Sequence, residues 1–275
     1  MIIGGNEDRD NDKPVLRRIV ALSERAQPKI VVITAASAEP DVVWQAYDGA
    51  FEDLGVRHRQ RLDLPDRHAA DHAAHVRTIT EADIVFMTGG DQTRLMSALA
   101  GSRAAVAIRE GFAHRGQCVA GTSAGASVMS EHMMASGEVR SPPTKDMVRL
   151  ARGLGLLHGV IIDQHFSERG RLPRLFAALA HHPPLMGLGI DEDTALVVRP
   201  FDSIEVIGSG AVTVVDGSSS TIDRVACAHG EALQLEKVVV HLLPAGGRYT
   251  RHAGATPVGP GIATAVHLLT TAACG

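Results

Sequence analysis

Aromatic residues are scarce in this 275-residue sequence: they make up 3% of it, although 45% of the residues are hydrophobic. A buried core must therefore be built mainly from Ala, Val, Leu and Ile. Apolar runs long enough to span a bilayer are missing, so no transmembrane helix is expected. The N-terminal segment also lacks a basic stretch followed by an apolar one, so no secretory signal peptide is expected.

Net charge and cysteine content narrow the class of protein further. The formal net charge is −4 with both signs interspersed, which argues against nucleic acid or a membrane surface as the main partner. Cys118, Cys227 and Cys274 are too few for a disulfide framework, show no C-x-x-C spacing and fit a reducing compartment. We expect a cytoplasmic protein, with residues 1–275 forming one domain because no repeat or linker divides them.

The most informative stretch is a G-x-S-x-G pattern at residues 121–125, which follows a short apolar run and precedes small and apolar residues. This order predicts a strand, a tight turn and a helix, with Ser123 standing out from the backbone at the turn. The unpaired N–H groups that begin such a helix favour a developing oxyanion. We interpret Ser123 as a nucleophile; the alternative is a Gly/Ser turn without chemistry.

The first half of the chain alternates strand and helix patterns, which predicts an α/β fold with a mostly parallel sheet and helices on both faces. Ligands of such sheets bind beyond the carboxyl ends of the strands, where Gly4-Gly5, Gly89-Gly90 and Ser123 are expected. Residues 136–145 are expected to form a mobile loop. The β-branched runs between 195 and 243 predict antiparallel strands that extend the same sheet, whereas residues 253–275 are a tail without a predicted structure.

A nucleophilic serine needs a base, and two further strand ends offer partners. His165 ends a strand predicted over residues 156–163, and Glu192 ends one predicted over 186–191. Glu192 would accept from the imidazole and fix its tautomer. The order Ser, His, acid differs from the Ser, acid, His order of α/β-hydrolases and disfavours an esterase of that fold. The alternative is that both residues lie in ordinary solvated turns.

Two other polar groups stand out. His68, His72 and His75 recur at helical spacing beside Asp71, but we interpret them as a solvated helical face and predict no metal site. A second group contains three arginines near the predicted base: Arg169, Arg171 and Arg174. If the segment before Pro173 is a loop, all three converge past His165, where guanidinium groups would bind carboxylates; the alternative is a solvated surface loop.

Six ordered segments together resemble the cyanophycinase family of serine peptidases. They are IGGNEDR at 3–9, FMTGGDQTRL at 86–95, GTSAGA at 121–126, DQHFSERGRLPRL at 163–175, GLGIDEDTAL at 187–196 and VVVHLLPAGGRY at 238–249. The GTSAGA segment is shared with aspartyl dipeptidases, whereas the arginine-rich segment is the specific one. The first strand is short for this family, which suggests a trimmed N-terminus.

The resemblance implies a fold like the class I glutamine amidotransferases (flavodoxin-like), a homodimer and no cofactor. It implies hydrolysis of cyanophycin, a polyaspartate with arginine on each side chain, to β-Asp-Arg dipeptides; a dipeptidase acting on β-aspartyl peptides and a non-catalytic binding protein are the alternatives. The implied roles are nucleophile for Ser123, base and then acid for His165, orienting acid for Glu192, oxyanion donors for Gly90 and Ala124, and substrate binding for Gln92, Asp163, Gln164, Arg169, Arg171 and Arg174.

Overall fold

A computed structural model describes residues 1–218, 221–222, 230–251 and 260–272. Its helices are α1 (Pro14–Leu22), α2 (Pro40–Asp53), α3 (Arg67–Asp71), α4 (Ala73–Glu81), α5 (Gln92–Leu99), α6 (Arg103–His114), α7 (Ala124–Ser127), α8 (Leu172–His181) and α9 (Pro260–Ala272), with a 3₁₀ turn at Lys145–Met147. None of the described helices has the length and apolar character needed to cross a membrane.

Strands alternate with helices through the first half of the chain, as predicted. They are β1 (Ile2–Ile3), β2 (Lys29–Ile33), β3 (His58–Leu62), β4 (Ile84–Met87), β5 (Cys118–Thr122), β6 (His132–Gly137), β7 (Val148–Arg152), β8 (Val160–Gln164), β9 (Met186–Ile190), β10 (Thr194–Arg199), β11 (Ser203–Gly208), β12 (Ala211–Asp216), β13 (Thr221–Ile222), β14 (Leu235–Glu236), β15 (Val239–Pro244) and β16 (Arg248–Thr250). β6 therefore reaches into the segment predicted as a loop.

The larger sheet has the order β16-β11-β10-β1-β5-β4-β2-β3 among the described residues. The neighbouring strands β1, β5, β4, β2 and β3 all pair in parallel. On the other side of β1, strands β10, β11 and β16 pair antiparallel. The mostly parallel α/β prediction is therefore confirmed. The prediction that antiparallel strands extend this sheet is confirmed for β10 and β11.

A second sheet, with the order β15-β12-β9-β8, corrects the rest of that prediction. β12 and β15 do not join the larger sheet: β12 pairs antiparallel with β9 and with β15, and β8 lies parallel to β9. β-Branched runs favour strands, but partner choice depends on contacts between distant segments, which the local pattern does not contain. β8, which ends just before His165, and β9, which ends two residues before Glu192, thus belong to the second sheet.

Both faces of the larger sheet are covered, as its hydrophobic strands require. Alternate residues of β2 point to opposite faces: Val31 and Ile33 pack into a core with α5 and α6, and Ile30 and Val32 pack with α1 and α2. The strand ends are thereby held rigidly at one edge, where the candidate site lies.

One local expectation was wrong, and one segment without a predicted structure contains a helix. The histidines do not share one helix, because His72 has an extended backbone that ends α3 and caps the start of α4. The C-terminal tail contains α9, in which Ala265, Val266 and Leu269 are buried in the main core. The small residues of α9 give only a weak amphipathic pattern, and the helix is stabilised mainly by its packing against the core. Residues 253–259 and 273–275 of the tail, and two of the three cysteines, lie outside the described residues.

Candidate active site

Ser123 lies at the turn between β5 and α7 with φ 52° and ψ −111°, a backbone conformation that is strained for a residue with a side chain. The flanking glycines make this turn possible. A Cβ on Gly121 would lie 2.2 Å from the Gly125 carbonyl oxygen, and one on Gly125 would lie 2.2 Å from the Met87 carbonyl oxygen. The predicted strand, turn and helix around the G-x-S-x-G pattern are confirmed.

The structure brings Ser123, His165 and Glu192 into one hydrogen-bonded chain. The Ser123 Oγ lies 2.9 Å from His165 Nε2, and His165 Nδ1 lies 2.5 Å from Glu192 Oε1. These contacts assign the tautomer of His165. Nδ1 carries the proton and donates a hydrogen bond to Glu192, and the unprotonated Nε2 faces the Ser123 hydroxyl. This is the arrangement that a serine nucleophile requires for deprotonation.

A pair of glycines after β1 brings the two sheets together at this point. The Gly4 carbonyl accepts from the His165 amide at 2.8 Å, and the Gly5 carbonyl accepts from the Asp193 amide at 2.8 Å. A Cβ on Gly4 would lie 1.9 Å from the Asp191 carbonyl oxygen, and one on Gly5 would lie 2.3 Å from the His165 ring. Only glycine fits at either position, which explains the Gly-Gly pair at this strand end.

Electrostatics keep the imidazole neutral and the carboxylate charged. Burial lowers the pKa of His165, and the positive charges of Arg169 and Arg171 lower it further, against the raising effect of Glu192. A hydrogen bond from Asn6 is the main cause that lowers the pKa of Glu192, and His165 adds to it. A neutral imidazole beside an ionised carboxylate is the state in which His165 accepts a proton.

The two predicted oxyanion donors, Gly90 and Ala124, lie in turns beside Ser123. Ala124 is the first residue of α7, where an N–H has no acceptor within the helix. Gly90 has φ 138°, and a Cβ there would lie 2.1 Å from the Ala36 carbonyl oxygen, so this turn also requires glycine. Its neighbour Gly89 lies against the nucleophile, since a Cβ there would be 3.3 Å from Ser123 Cβ.

The three arginines take two different positions. The segment before α8 is a turn, which was the condition for the arginines to converge, and it leaves Arg169 exposed near His165. Arg171 and Arg174 are buried and converge on Asp163, whose side chain is 1% exposed. Arg174 Nε donates to Asp163 Oδ2 at 2.7 Å, and Arg171 Nη1 donates to Asp163 Oδ1 at 3.3 Å. Burial lowers the pKa of Arg171 to about 10, and Asp163 opposes this effect.

The two predicted glutamines contact backbone and side chains around the nucleophile. Gln164 Oε1 lies 3.5 Å from the Ser123 Oγ and accepts from Arg171 Nη1 at 3.0 Å. Gln92 donates through Nε2 to the carbonyl oxygens of Met134 and Ala135, both at 3.0 Å. Gln92 therefore holds the β6–β7 hairpin beside the site.

One element of the site was missed by sequence reasoning. Glu7 is buried, accepts from the Tyr47 hydroxyl at 2.5 Å and accepts from Thr122 Oγ1 at 2.6 Å. Thr122 directly precedes the nucleophile, so Glu7 ties the nucleophile strand to the first strand end. Burial and the Glu7 carboxylate raise the pKa of Tyr47, which keeps its hydroxyl a donor. The acidic residues after Gly4-Gly5 were the available signal.

Comparison with known proteins places this geometry in a family. The model of peptidase family S51 matches residues 1–205 of the chain. The chain belongs to peptidase family S51. Curated S51-like relatives named cyanophycinase include one from Geminocystis herdmanii (strain PCC 6308), 38% identical over 252 residues that cover 91% of this chain and 93% of the relative. Another, from Nostoc sp. (strain PCC 7120), is 35% identical over 90% of this chain and 84% of its own length.

A solved structure supports the fold of this S51 chain. The crystal structure of a peptidase from an acI-B1 Actinobacterium superposes with a TM-score of 0.65, covering 90% of this chain and 94% of that protein. The two sequences are 21% identical, so the similarity concerns the fold. As an S51 member the chain is a peptidase, and the resemblance inferred from its six segments is confirmed.

Proposed function

We propose that this protein hydrolyses the polyaspartate backbone of cyanophycin to β-Asp-Arg dipeptides as a serine peptidase. The observation that carries the proposal is the Ser123–His165–Glu192 chain of hydrogen bonds beside three arginines. The identity of 38% and 35% to two cyanophycinases, over nine tenths of this chain, supports the substrate. The dipeptidase alternative, which shares only the GTSAGA segment, is not favoured and becomes an outcome of the test.

The proposed chemistry is acyl transfer through an ester of Ser123. His165 Nε2 takes the hydroxyl proton as Oγ attacks an aspartyl carbonyl carbon, and Glu192 stabilises the imidazolium that forms. The amides of Gly90 and Ala124 donate to the tetrahedral oxyanion. His165 then protonates the leaving amine, and water hydrolyses the acyl-enzyme by the same steps in reverse order. The roles of Ser123, His165 and Glu192 extend the contacts described above.

The proposed recognition uses the charges around that chain. Each β-Asp-Arg unit carries one free carboxylate and one guanidinium group. Arg169 is exposed next to His165 and is positioned to bind the carboxylate. Asp163 orients Arg171 and Arg174, and Gln164 presents its amide at the nucleophile. Gln92 completes the proposed set: its Nε2 is used by the hairpin carbonyls, and its side-chain carbonyl oxygen is the group proposed to meet the substrate.

A matched pair of variants tests this function. Purified protein, Ser123→Ala and Ser97→Ala are incubated with insoluble cyanophycin, and soluble β-Asp-Arg is followed by mass spectrometry. Ser97 is an exposed serine on α5, so its variant controls for the substitution itself. We expect release by the wild type and Ser97→Ala, and a loss of at least about 10³-fold in Ser123→Ala.

The other results are equally informative. Cleavage of a short isoaspartyl peptide without release from the polymer would move the substrate to the dipeptidase alternative. Equal activity of Ser123→Ala would refute the proposed nucleophile. We also propose a cytoplasmic homodimer, which the family resemblance and the cysteine usage support. Light scattering of the purified protein and fractionation of the source cells test those two statements.

A further inference from the structure

The acidic turn between β9 and β10 contains a buried carboxylate that the proposed mechanism does not use. Asp191 directly precedes Glu192 and is 7% exposed. Its Oδ1 accepts from the Ser167 amide at 3.1 Å and from the Ser167 hydroxyl at 2.5 Å, and its Oδ2 accepts from the Ala211 amide at 3.0 Å. The carboxylate therefore joins three segments: the turn that begins at His165, the turn that contains Glu192 and the start of β12.

The turn that carries His165 depends on such contacts. His165 has φ 49°, a left-handed backbone that is strained for a residue with a side chain and persists only where neighbouring groups hold it. Two successive contacts attach this turn to the end of β9. The Phe166 amide donates to the Ile190 carbonyl oxygen at 3.1 Å, and the Ser167 amide donates to Asp191. Because Asp191 accepts the second of these bonds, it acts on the position of the imidazole through the backbone.

The side of this contact that carries Glu192 is held as well. The Asp191 amide donates to the Ala211 carbonyl oxygen at 3.2 Å, so backbone and side chain of Asp191 both bind the start of β12. A Cβ on Gly210 would lie 2.8 Å from Asp191 Cβ, which leaves no space for a larger residue beside it. The Asp191 side chain is therefore closely packed as well as hydrogen-bonded.

We propose that Asp191 is a positioning residue for the reaction, which holds the turn of His165 against that of Glu192 so that the imidazole meets the carboxylate. The inference rests on the proposed function. The described hydrogen bonds of the Asp191 side chain reach Ser167 and Ala211 and no side chain of the triad, so its effect passes through the backbone. Without them the contact of 2.5 Å between His165 Nδ1 and Glu192 Oε1 would loosen, and the base would be oriented less well.

The variant Asp191→Asn isolates this role. The two oxygens of Asp191 each accept from a backbone amide, whereas asparagine has one acceptor oxygen, so its Nδ2 group would face an N–H donor. Ser167→Ala removes only the hydroxyl contact and is the milder variant. Asp202→Asn is the matched control, because Asp202 Oδ2 also accepts from a serine hydroxyl, that of Ser203 at 2.7 Å, but in the turn at the far end of β10.

Two measurements separate positioning from stability. Proton NMR records the Nδ1–H resonance of His165, assigned by its absence in His165→Ala. We expect it to lose its downfield shift in Asp191→Asn, to move less in Ser167→Ala and to stay unchanged in Asp202→Asn.

Kinetics with soluble β-Asp-Arg oligomers provide the second measurement. We expect Asp191→Asn to lower kcat by about 10²-fold with an unchanged KM. The acidic limb of its pH profile should lie at lower pH, because the hydrogen bond from Glu192 raises the pKa of His165 and this bond is loosened.

An Nδ1–H resonance and an acidic limb that match the wild type in both variants would overturn the proposal, because a general loss of stability moves neither of them. Equal changes in Asp202→Asn would overturn it as well. If Asp191→Asn does not fold, Ser167→Ala decides the question by the same two measurements. A wild type that cleaves no substrate would refute the proposed function, whereas the resonance would still test whether Asp191 positions His165.

Discussion

The buried carboxylate of Asp163 offers the sharpest test of the architecture. Its side chain is 1% exposed and accepts from two arginines that are each 9% exposed, so neither cation can turn to bulk water. Removing one partner of a buried pair leaves an uncompensated charge, which costs about 3–5 kcal/mol. Asp163→Asn keeps one acceptor oxygen and the side-chain shape, so we expect it to lower the free energy of unfolding by about 3 kcal/mol.

The measurement is urea denaturation followed by circular dichroism, with Asp163→Ala as the more severe variant. For a chain of this size, about 3 kcal/mol corresponds to a fall in Tm of about 6–12 °C. Glu110→Gln is the matched control, because Glu110 pairs with Arg115 at 3.7 Å and is 59% exposed. We expect that control to change stability by less than about 0.5 kcal/mol.

A loss below about 1 kcal/mol in both Asp163 variants would refute the reasoning. It would mean that Arg171 and Arg174 find other partners, or that water reaches the cluster. The arginines would then be free to move, and their proposed positioning for substrate would lose its physical basis.

Three further predictions concern catalysis and packing. Glu192→Gln should lower kcat/KM by about 10⁴-fold. It should also shift the acidic limb of the pH profile to lower pH, because Glu192 raises the pKa of His165. A limb at the same pH as in the wild type would contradict this. In the wild type that limb should lie below pH 6.5, and Arg169→Gln should raise its midpoint by removing a charge that lowers the pKa of His165, as pH-rate measurements would show. Gly125→Ala should lower the free energy of unfolding by more than about 2 kcal/mol, because the new Cβ would lie 2.2 Å from a carbonyl oxygen. Gly49→Ala, in open space within α2, should raise it by about 0.5–1 kcal/mol in the same denaturation assay.

The sequence predicts this site well where chemistry depends on neighbouring residues. The turn at Ser123 follows from glycines two positions away on each side, and these make contacts that exclude any larger residue. His165 and Glu192 were found because each ends an apolar run, and parallel strands bring their carboxyl ends to one edge. The roles of the three residues stay predictions, although their mutual distances agree with those roles.

Features that depend on distant partners were harder to predict. The split into two sheets rests on the pairing of β12 with β9, which no local pattern encodes. The break at His72 was missed because histidine spacing is equally compatible with one helix or two. The buried hydrogen bond between Glu7 and Thr122 joins residues 115 positions apart, and no local sequence pattern predicts a contact over that distance. In each case tertiary contacts decided between locally equivalent conformations.

The contacts of Gly4 and Gly5 have a consequence for how the enzyme would lose activity. Ser123 follows β5 of the larger sheet, whereas His165 follows β8 of the smaller one, and Glu192 lies in the connection from β9 to β10. Gly4 joins the two sheets, because its carbonyl oxygen accepts from the His165 amide at 2.8 Å. A slip of about 1 Å between the sheets would separate nucleophile from base while leaving every strand ladder whole. Catalytic activity therefore depends on the relative position of the two sheets. Mild denaturant should abolish activity at concentrations that leave the circular dichroism spectrum unchanged.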